Sequence, residues 1–287
     1  TLRITDSDGT GIGLGATAAA GGLHLSDGET DQLTVGDFEL ITAGAVTVDG
    51  LSDGFLNTGG KVTWSAGGAV DIENTSSSLS GPLIIESNAG VTLNRGLSTA
   101  GNTIIDADFD DDGSGDLELN SGFDLETGGF DLTVFTNELV LTTGTLLDTR
   151  NAGDTARGNL ILEDADGGGV FLGTVAGGEF SIPSSLSDLL YAESLAVITS
   201  GAMESDITAA FSNINTTVKL MGEHFTVPAD ASYSSALEIE AHDRVSVLAQ
   251  LVSGGDLTVK ANADADGADL NEDILFTNGR LRAQTGD

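Results

Sequence analysis

The feature that most constrains the fold is an internal repeat, because segments of the first half of the chain recur about 157 residues later. The matching segments are TLRITDSDG at 1–9 with NLILEDADG at 159–167, ELITAGAV at 39–46 with AVITSGAM at 196–203, and PLIIESNAGVTL at 82–93 with ALEIEAHDRVSV at 236–247. The sequence therefore predicts a first repeat unit at 1–157 and a second, incomplete unit at 158–287, stacked on the first. Since the second unit stops before its copies of FDLTVF and ELVLTT, we expect the chain to belong to a longer array.

Short candidate strands recur about every 8 to 14 residues along both units. Each alternates apolar and polar residues and is bounded by Gly, Asn, Asp or Ser, which is typical of strands with one buried face. The candidates are LRIT, LHL, FELIT, AVTV, KVTWS, AVDIE, PLIIES, GVTL, NTIID, DLEL, FDLET, FDLTVF, ELVLTT, NLILE, VFLG and DLTVK. A helical pattern occurs at 184–211, where Ser187 and Asp188 are expected to cap a turn or two of helix.

Three features favour a solenoid over a sandwich or a barrel. No Pro-rich or Ser-rich linker divides the chain, and aromatic residues make up only 5%, which is low for a sandwich core. The 40 Gly residues are interleaved with Val, Leu, Ile and Thr, as tight corners between stacked coils require. We therefore predict an all-β, parallel β-solenoid (β-helix) built from tandem repeats of about 157 residues.

The charge of the chain excludes several classes of function. The 45 Asp and Glu outnumber the 10 Lys and Arg, and the formal charge of −35 repels phosphate backbones and anionic membrane surfaces. We therefore expect no nucleic-acid partner. No apolar run approaches the roughly 20 residues of a membrane span, so no membrane insertion is expected either. The lack of Cys excludes disulfides, thiolate metal sites and a Cys nucleophile.

Two acidic loops at equivalent repeat positions are the sharpest candidate sites. Their candidate metal ligands are Asp108, Asp110, Asp112 and Asp116 in the first loop, and Asn262, Asp264 and Asp266, completed by Asp269 or Asp273, in the second. Carboxylates at alternate positions before a Gly can surround one hard cation. Calcium is therefore the expected ion, and it would stiffen the structure.

Shorter D-x-D-G runs at Asp6/Asp8 and Asp164/Asp166 share this spacing. The alternative for all these loops is that strings rich in Asp and Gly are solvated turns. A saline habitat would also screen the negative charge without a specific ion.

Catalysis is not expected. The three histidines, His24, His224 and His242, are scattered along the chain, which disfavours both a Ser-His-Asp triad and a zinc site. His24 falls in the alternating strand LHL, and His242, in the string EAHDR, is predicted to lie in a turn. The basic residues are dispersed too, apart from Arg280 and Arg282. Polysaccharide cleavage is the enzymatic alternative, and it would require a groove with clustered Arg or Lys and carboxylates of shifted pKa.

The aromatic residues are assigned to the core. Val62 and Trp64 fall on the same side of a strand, which favours a buried Trp64 over a sugar-stacking surface. Phe123, Phe130 and Phe135 are predicted to stack on one another in the core.

The strings IGLGATAAAGGLHLSDGETDQL, FELITAGAVTVDGL and GGKVTWSAGGAVDIENTSSSLSGPLIIESNAGVTLNRGLSTAGNTIIDAD resemble large secreted exoproteins of the filamentous haemagglutinin type. The likeness extends over most of the chain and consists of a G-x-V/L-x-V alternation with Asn and Ser at corners. It implies a right-handed parallel β-helix, export to the cell surface, and a structural or adhesive role. The secretion module of that family is not recognisable here, and the chain has no Asn-Pro dipeptide.

These observations predict a structural protein rather than an enzyme. We expect a segment of a giant acidic repeat protein that builds an extracellular surface fibre, sheath or filament and is stiffened by calcium. Its expected partners are copies of itself or neighbouring repeats of a longer chain. The alternative is a segment of an adhesin that binds carbohydrate or a host surface, with glycans as partners.

Overall fold

The computed structural model describes residues 1–16, 22–120, 122–142, 144–173, 180–208, 210–261, 274–277 and 279–284. Within these residues the chain is nearly all-β, and its parallel strands form stacked sheets. This confirms the predicted parallel β-solenoid. None of the helices described has the length and apolar character that a membrane span requires. The chain divides into two compact units, Thr1–Gly158 and Asn159–Asp287.

Unit 1 contains one helical turn, α1 (Asp27–Thr30), among the short strands that the structure describes. These strands are β1 (Leu2–Asp6), β2 (Ile12–Gly15), β3 (Leu23–Leu25), β4 (Phe38–Thr42), β5 (Val46–Asp49), β6 (Val62–Ala66), β7 (Val70–Ile72), β8 (Ser77–Leu79), β9 (Leu83–Ser87), β10 (Val91–Leu93), β11 (Leu97–Thr99), β12 (Thr103–Asp106), β13 (Leu117–Leu119), β14 (Leu125–Glu126), β15 (Leu132–Thr136), β16 (Leu139–Leu141) and β17 (Leu147–Asp148).

Three parallel sheets form the faces of unit 1. The first sheet has the order β1-β4-β6-β9-β12-β15, the second β3-β2-β5-β7-β10-β13-β16, and the third β8-β11-β14-β17. From β6 onward, each coil gives one strand to each sheet. The residues in register on the first sheet are Leu2, Phe38, Val62, Leu83, Thr103 and Leu132. The coils differ in length: the longest runs from Leu2 to Phe38, and the shortest from Leu83 to Thr103.

Columns of in-register apolar side chains fill the interior of unit 1. One column runs through the first sheet as Leu40, Trp64, Ile85, Ile105 and Val134, all fully buried. Burial of each such side chain contributes about 1.5–3 kcal/mol before conformational entropy is subtracted. The column confirms that Trp64 is a core residue.

The described part of unit 2 also contains one helical turn, α2 (Ser184–Ser187). The strands described in it are β18 (Leu160–Asp164), β19 (Val170–Leu172), β20 (Phe180–Ile182), β21 (Leu190–Tyr191), β22 (Leu195–Ile198), β23 (Ala202–Ser205), β24 (Thr217–Val227), β25 (Ala231–Tyr233), β26 (Ala236–Val247), β27 (Gln250–Ser253), β28 (Leu257–Lys260), β29 (Ile274–Phe276) and β30 (Arg280–Ala283).

Two long strands of unit 2 pass round a corner that in unit 1 separates two sheets. β24 pairs with β22 through its first half and with β23 through its second half, and β26 pairs in the same way with β28 and β29. The order β25-β27-β30 forms a separate sheet.

The coils of unit 2 follow the same progression of lengths as those of unit 1. Along the paired strands β18, β22, β24, β26 and β28, the residues in register are Leu160, Leu195, Val218, Leu237 and Leu257. In both units the first coil is the longest, the second is shorter, and the third is shorter still. The shared progression supports a duplicated unit, while the exact length of the repeat stays a prediction.

The candidate strands all coincide with strands of the structure, but three other expectations were wrong. Phe123 and Phe135 are only half-buried and Phe130 is 44% exposed, so they are not core rungs. In β15, Leu132 and Val134 take the inward positions, and alternation turns Phe135 outward.

The other two differences concern residues near corners. His242 was expected in a turn and instead lies within β26. Ser187 and Asp188 end the single turn α2 instead of starting a helix, and most of the described residues that follow are strands.

Candidate cation site

The first acidic loop replaces a short corner between the first and second sheets of unit 1. In the coil before it, residues 88–90 connect β9 to β10. In its own coil, the much longer segment 107–116 connects β12 to β13, while both strands keep their register with the neighbouring coil. The loop therefore protrudes from a corner whose backbone is otherwise fixed by the sheets.

The two ends of this loop, at Ala107 and Gly115, approach each other closely. A Cβ atom on Gly115 would overlap the carbonyl oxygen of Ala107, so only glycine fits there. The backbone N–H of Phe109 donates to the carbonyl oxygen of Ser87, at 3.0 Å, and Asn137 donates to that of Gly115, at 2.9 Å. These bonds tie the loop to the coils on either side.

Asp108 organises the loop from the inside. Its side chain is fully buried, and its Oδ1 and Oδ2 atoms accept hydrogen bonds from the backbone N–H groups of Asp112, at 3.2 Å, and Gly113, at 2.9 Å. Gly113 has a φ of +79°, in the left-handed region that such a tight return requires. The peptide of the loop thus wraps around one carboxylate.

The structure brings three of the four predicted ligands of this loop together. One carboxylate oxygen each from Asp108, Asp110 and Asp112 lies within 4.8 Å of the others, and Asp110 and Asp112 are exposed. Asp116 does not join this group, although its Oδ1 atom is buried and has no hydrogen-bond partner. The predicted ligands Asn262, Asp264 and Asp266, with Asp269 and Asp273, lie outside the described residues.

Burial, and after it the neighbouring negative charges, raises the pKa values of two aspartates at this corner. The pKa of Asp106 is raised to about 6, first by burial and then by the charges of Asp111, Glu86 and Asp108. Burial also raises the pKa of Asp108, against the opposing effect of its two N–H donors. A divalent cation bound here would favour the charged carboxylates and lower both pKa values.

The donor set fits a hard cation. Calcium takes six to eight oxygen ligands, whereas a thiolate- or imidazole-seeking metal would find neither ligand among these three aspartates. Asp108, Asp110 and Asp112 would supply three carboxylates, and backbone carbonyls and water would have to supply the rest.

The D-x-D-G run of unit 1 forms a corner by internal hydrogen bonds. Asp6 Oδ2 accepts from the backbone N–H of Gly11, at 3.0 Å, and from Thr42 Oγ1 in the next coil, at 2.8 Å. These bonds, led by that from Thr42, lower the pKa of Asp6 to about 2.

The equivalent run of unit 2 has the same bonds. Asp164 Oδ2 accepts from the backbone N–H of Gly169, at 2.9 Å, and from Thr199 Oγ1, at 2.7 Å. Asp164 is only 4% exposed, and burial raises its pKa in spite of these donors. The geometry of both runs favours the alternative that they are structural turns.

A polar groove runs along the third sheet of unit 1. One cavity of about 250 Å³ is lined by Ser98, Phe123, Asp124 and Glu126, and another of about 620 Å³ shares Glu126 and is lined further by Asp148 and Arg150. Burial raises the pKa values of Asp124 and Glu126.

The positively charged side chain in this groove, Arg150, is already paired with a carboxylate. Arg150 forms a bidentate ion pair with Asp148, with nitrogen–oxygen distances of 2.6 and 2.8 Å. The groove therefore has carboxylates of shifted pKa, one of the two features that polysaccharide cleavage would require. Its described lining contains one arginine rather than a cluster of basic residues.

Sequence reasoning missed a second cluster, formed in unit 2 by Glu223, His224 and Asp243. Glu223 and His224 are adjacent in the sequence, but Asp243 lies 19 residues after His224, and the three histidines are scattered along the chain. The register that pairs Val218 with Leu237 is the signal that could have found them, because the same offset of one coil carries residue 224 onto residue 243.

Comparison with known proteins found no family model, curated protein or solved structure that matches the chain.

Proposed function

We propose that the chain is a structural segment of a giant acidic repeat protein that builds an extracellular surface fibre, sheath or filament. The observation that carries this proposal is the stacking of parallel coils in each unit. Columns of buried apolar side chains continue from one coil to the next. Such a stack derives its stability from neighbour-to-neighbour contacts and can be extended by adding coils. The resemblance to exoproteins of the filamentous haemagglutinin type supports the surface location.

Self-association is part of the proposal, and the last strands of unit 2 support it. β28, β29 and β30 surround an apolar cavity of about 430 Å³ lined by Leu257, Val259, Ile274, Phe276, Leu281 and Ala283. Ile274, Leu275 and Phe276 are 40–47% exposed. Exposed apolar side chains beside strand edges favour the addition of another coil, from a copy of the chain or from a neighbouring repeat.

Calcium enters the proposal as a stiffening ion at Asp108, Asp110 and Asp112. Burial is the largest cause of the raised pKa values of Asp106 and Asp108, and the charges of neighbouring carboxylates raise them further. A bound cation would offset this repulsion and fix the corner between two sheets.

Sedimentation velocity and negative-stain microscopy over a range of protein concentrations test the fibre proposal. We expect assemblies that grow with concentration without any added ligand, and Leu281→Lys should reduce them because it places a charge in the apolar cavity. Leu56→Lys is the matched control, since Leu56 is an exposed leucine of unit 1, at 58%. Monomers at all concentrations, or equal effects of the two variants, would contradict the proposal.

A carbohydrate-binding adhesin segment is the second candidate function, and the groove on the third sheet of unit 1 favours it. Ser98, Asp124 and Glu126 offer hydrogen-bonding groups for sugar hydroxyls beside the ring of Phe123. A glycan array with the wild type and Glu126→Gln tests this function, and binding that the variant loses would support it. Release of shortened oligosaccharides from a bound glycan would instead indicate the polysaccharide-cleaving alternative.

A further inference from the structure

The corner at which β24 and β26 turn contains an irregularity that places three metal-ligating side chains together. Gly222 is in register with Ala241 and His224 with Arg244, so two residues of β26 stand opposite the single residue Glu223 of β24. Such a bulge re-aims side chains. Here the buried Gly222 is followed by two outward residues, Glu223 and His224, where strict alternation would allow one.

The geometry of the imidazole points to a missing partner. His224 Nδ1 has almost no solvent exposure and makes no hydrogen bond. It lies 3.4 Å from Asp243 Oδ2, which is longer than an ordinary N–H···O bond. Two ligands held about 2.1 Å from one tetrahedral ion are themselves about 3.4 Å apart. Ligand atoms of Glu223, His224 and Asp243 all lie within 4.8 Å of one another.

The neighbours of the cluster leave one side open. Ala202 of β23 is in register with His224, is exposed and carries only a methyl group, so β23 presents a small side chain to the cluster at this position. On the other side, Arg244 is in register with His224 and brings a positive charge to the corner. That charge opposes binding of a cation and provides a variable for the test.

We propose that Glu223, His224 and Asp243 bind a divalent transition-metal ion of the zinc class. One imidazole and two carboxylates suit Zn²⁺ and its neighbours, whereas an imidazole is a poor ligand for calcium or magnesium. Because Asp243 lies one coil after His224, the ion would cross-link successive coils of unit 2. This site differs in ligands, metal class and unit from the acidic loop of unit 1.

Isothermal titration of the full chain with Zn²⁺, in excess Mg²⁺ to occupy hard-cation sites, tests the proposal. We expect one tight site, and His224→Ala should lower its affinity by about tenfold or more. His242→Ala is the matched control, since His242 is an exposed histidine of the same corner, and it should leave the affinity nearly unchanged. Equal losses in the two variants, or no tight site in the wild type, would overturn the proposal.

Three further measurements control for misfolding and nonspecific binding. Circular dichroism shows whether each variant keeps its β structure. Arg244→Gln removes the opposing charge without touching a ligand and should strengthen Zn²⁺ binding. Co²⁺ in place of Zn²⁺ should give the visible absorption of a nitrogen- and oxygen-ligated ion in the wild type but not in His224→Ala, and its persistence in that variant would also count against the site.

Discussion

At the scale of single residues, equivalent aspartates of the two units show how burial competes with hydrogen bonding. Asp6 and Asp164 each accept a hydrogen bond from a threonine hydroxyl and one from the backbone N–H of a glycine, and Asp6 also accepts one from the backbone N–H of Asp8, at 3.3 Å. The pKa of Asp6 is nevertheless lowered to about 2, whereas that of Asp164 is raised, because Asp164 is more deeply buried. The donors stabilise a charge in both cases, but in unit 2 they do not fully offset the loss of water.

We therefore expect Thr199→Val to destabilise the protein by about 1.5–3 kcal/mol, because it removes a donor from a buried carboxylate. Thr42→Val removes the equivalent bond beside the more accessible Asp6, where water can replace it, and should cost less. Urea denaturation followed by circular dichroism measures both variants. A larger loss in Thr42→Val would show that burial does not govern the cost.

The raised pKa of Asp106 predicts a pH dependence of stability. Because the folded state holds this proton up to about pH 6 while an unfolded aspartate releases it near 3.8, the contribution of Asp106 to stability falls as pH rises between these values. Asp106→Asn should remove that slope and raise stability at pH 7 by ~1 kcal/mol, a figure reduced for solvent screening at this half-exposed group.

Thermal melts of the wild type and Asp106→Asn from pH 4 to pH 7 check this expectation. Calcium should also flatten the slope of the wild type if it binds the adjacent loop. Parallel pH profiles for the two proteins would show that Asp106 titrates without affecting folding.

At the scale of elements, alternation and Gly-rich boundaries were enough to predict most strands of unit 1. FELIT and PLIIES alternate inward and outward residues along β4 and β9, and each ends before a corner. The long β24 and β26 escaped this reasoning because small residues such as Gly222 and Ala241 let a strand continue through the corner. The acidic loop could be recognised as a sequence motif. Whether its carboxylates converge depends on the close approach of Gly115 to Ala107, which the spacing of the aspartates does not predict.

Replacing the acidic loop by the neighbouring corner tests whether it is a separable element. Substituting residues 108–116 with Asn-Ala-Gly, the sequence of residues 88–90, should leave the coil stack folded, because the flanking strands already match those of the coil before. The variant should melt within a few degrees of the wild type in chelator and lose any stabilisation by calcium. A variant that fails to fold would show that the loop itself holds the corner.

At the scale of the whole molecule, the formal charge of −35 is the dominant electrostatic fact. Local ion pairs such as Lys219–Glu240 and Lys260–Glu238 offset it only in places. Net charge of this size destabilises compact states through self-repulsion, and salt screens it over about 10 Å at 0.1 M.

We therefore expect the melting temperature to rise with sodium chloride from about 0.01 to 1 M. If calcium binds specifically, it should raise the melting temperature further at matched ionic strength, and Asp110→Asn should reduce that extra rise. Scanning calorimetry at fixed ionic strength measures both effects. A calcium effect no larger than that of sodium would assign the stabilisation to screening alone.

The unequal coil lengths also have a consequence for how such a chain can change. Coils of different lengths share one register on the first sheet, so added length is accommodated outside that sheet, as the corner segment 107–116 or as β3 and α1 of the first coil, and does not shift the paired strands. An evolving gene can therefore gain or lose codons at a corner without frustrating the fold. The segment 107–116, at the corner between β12 and β13, marks a position where a foreign peptide could be displayed on a rigid scaffold.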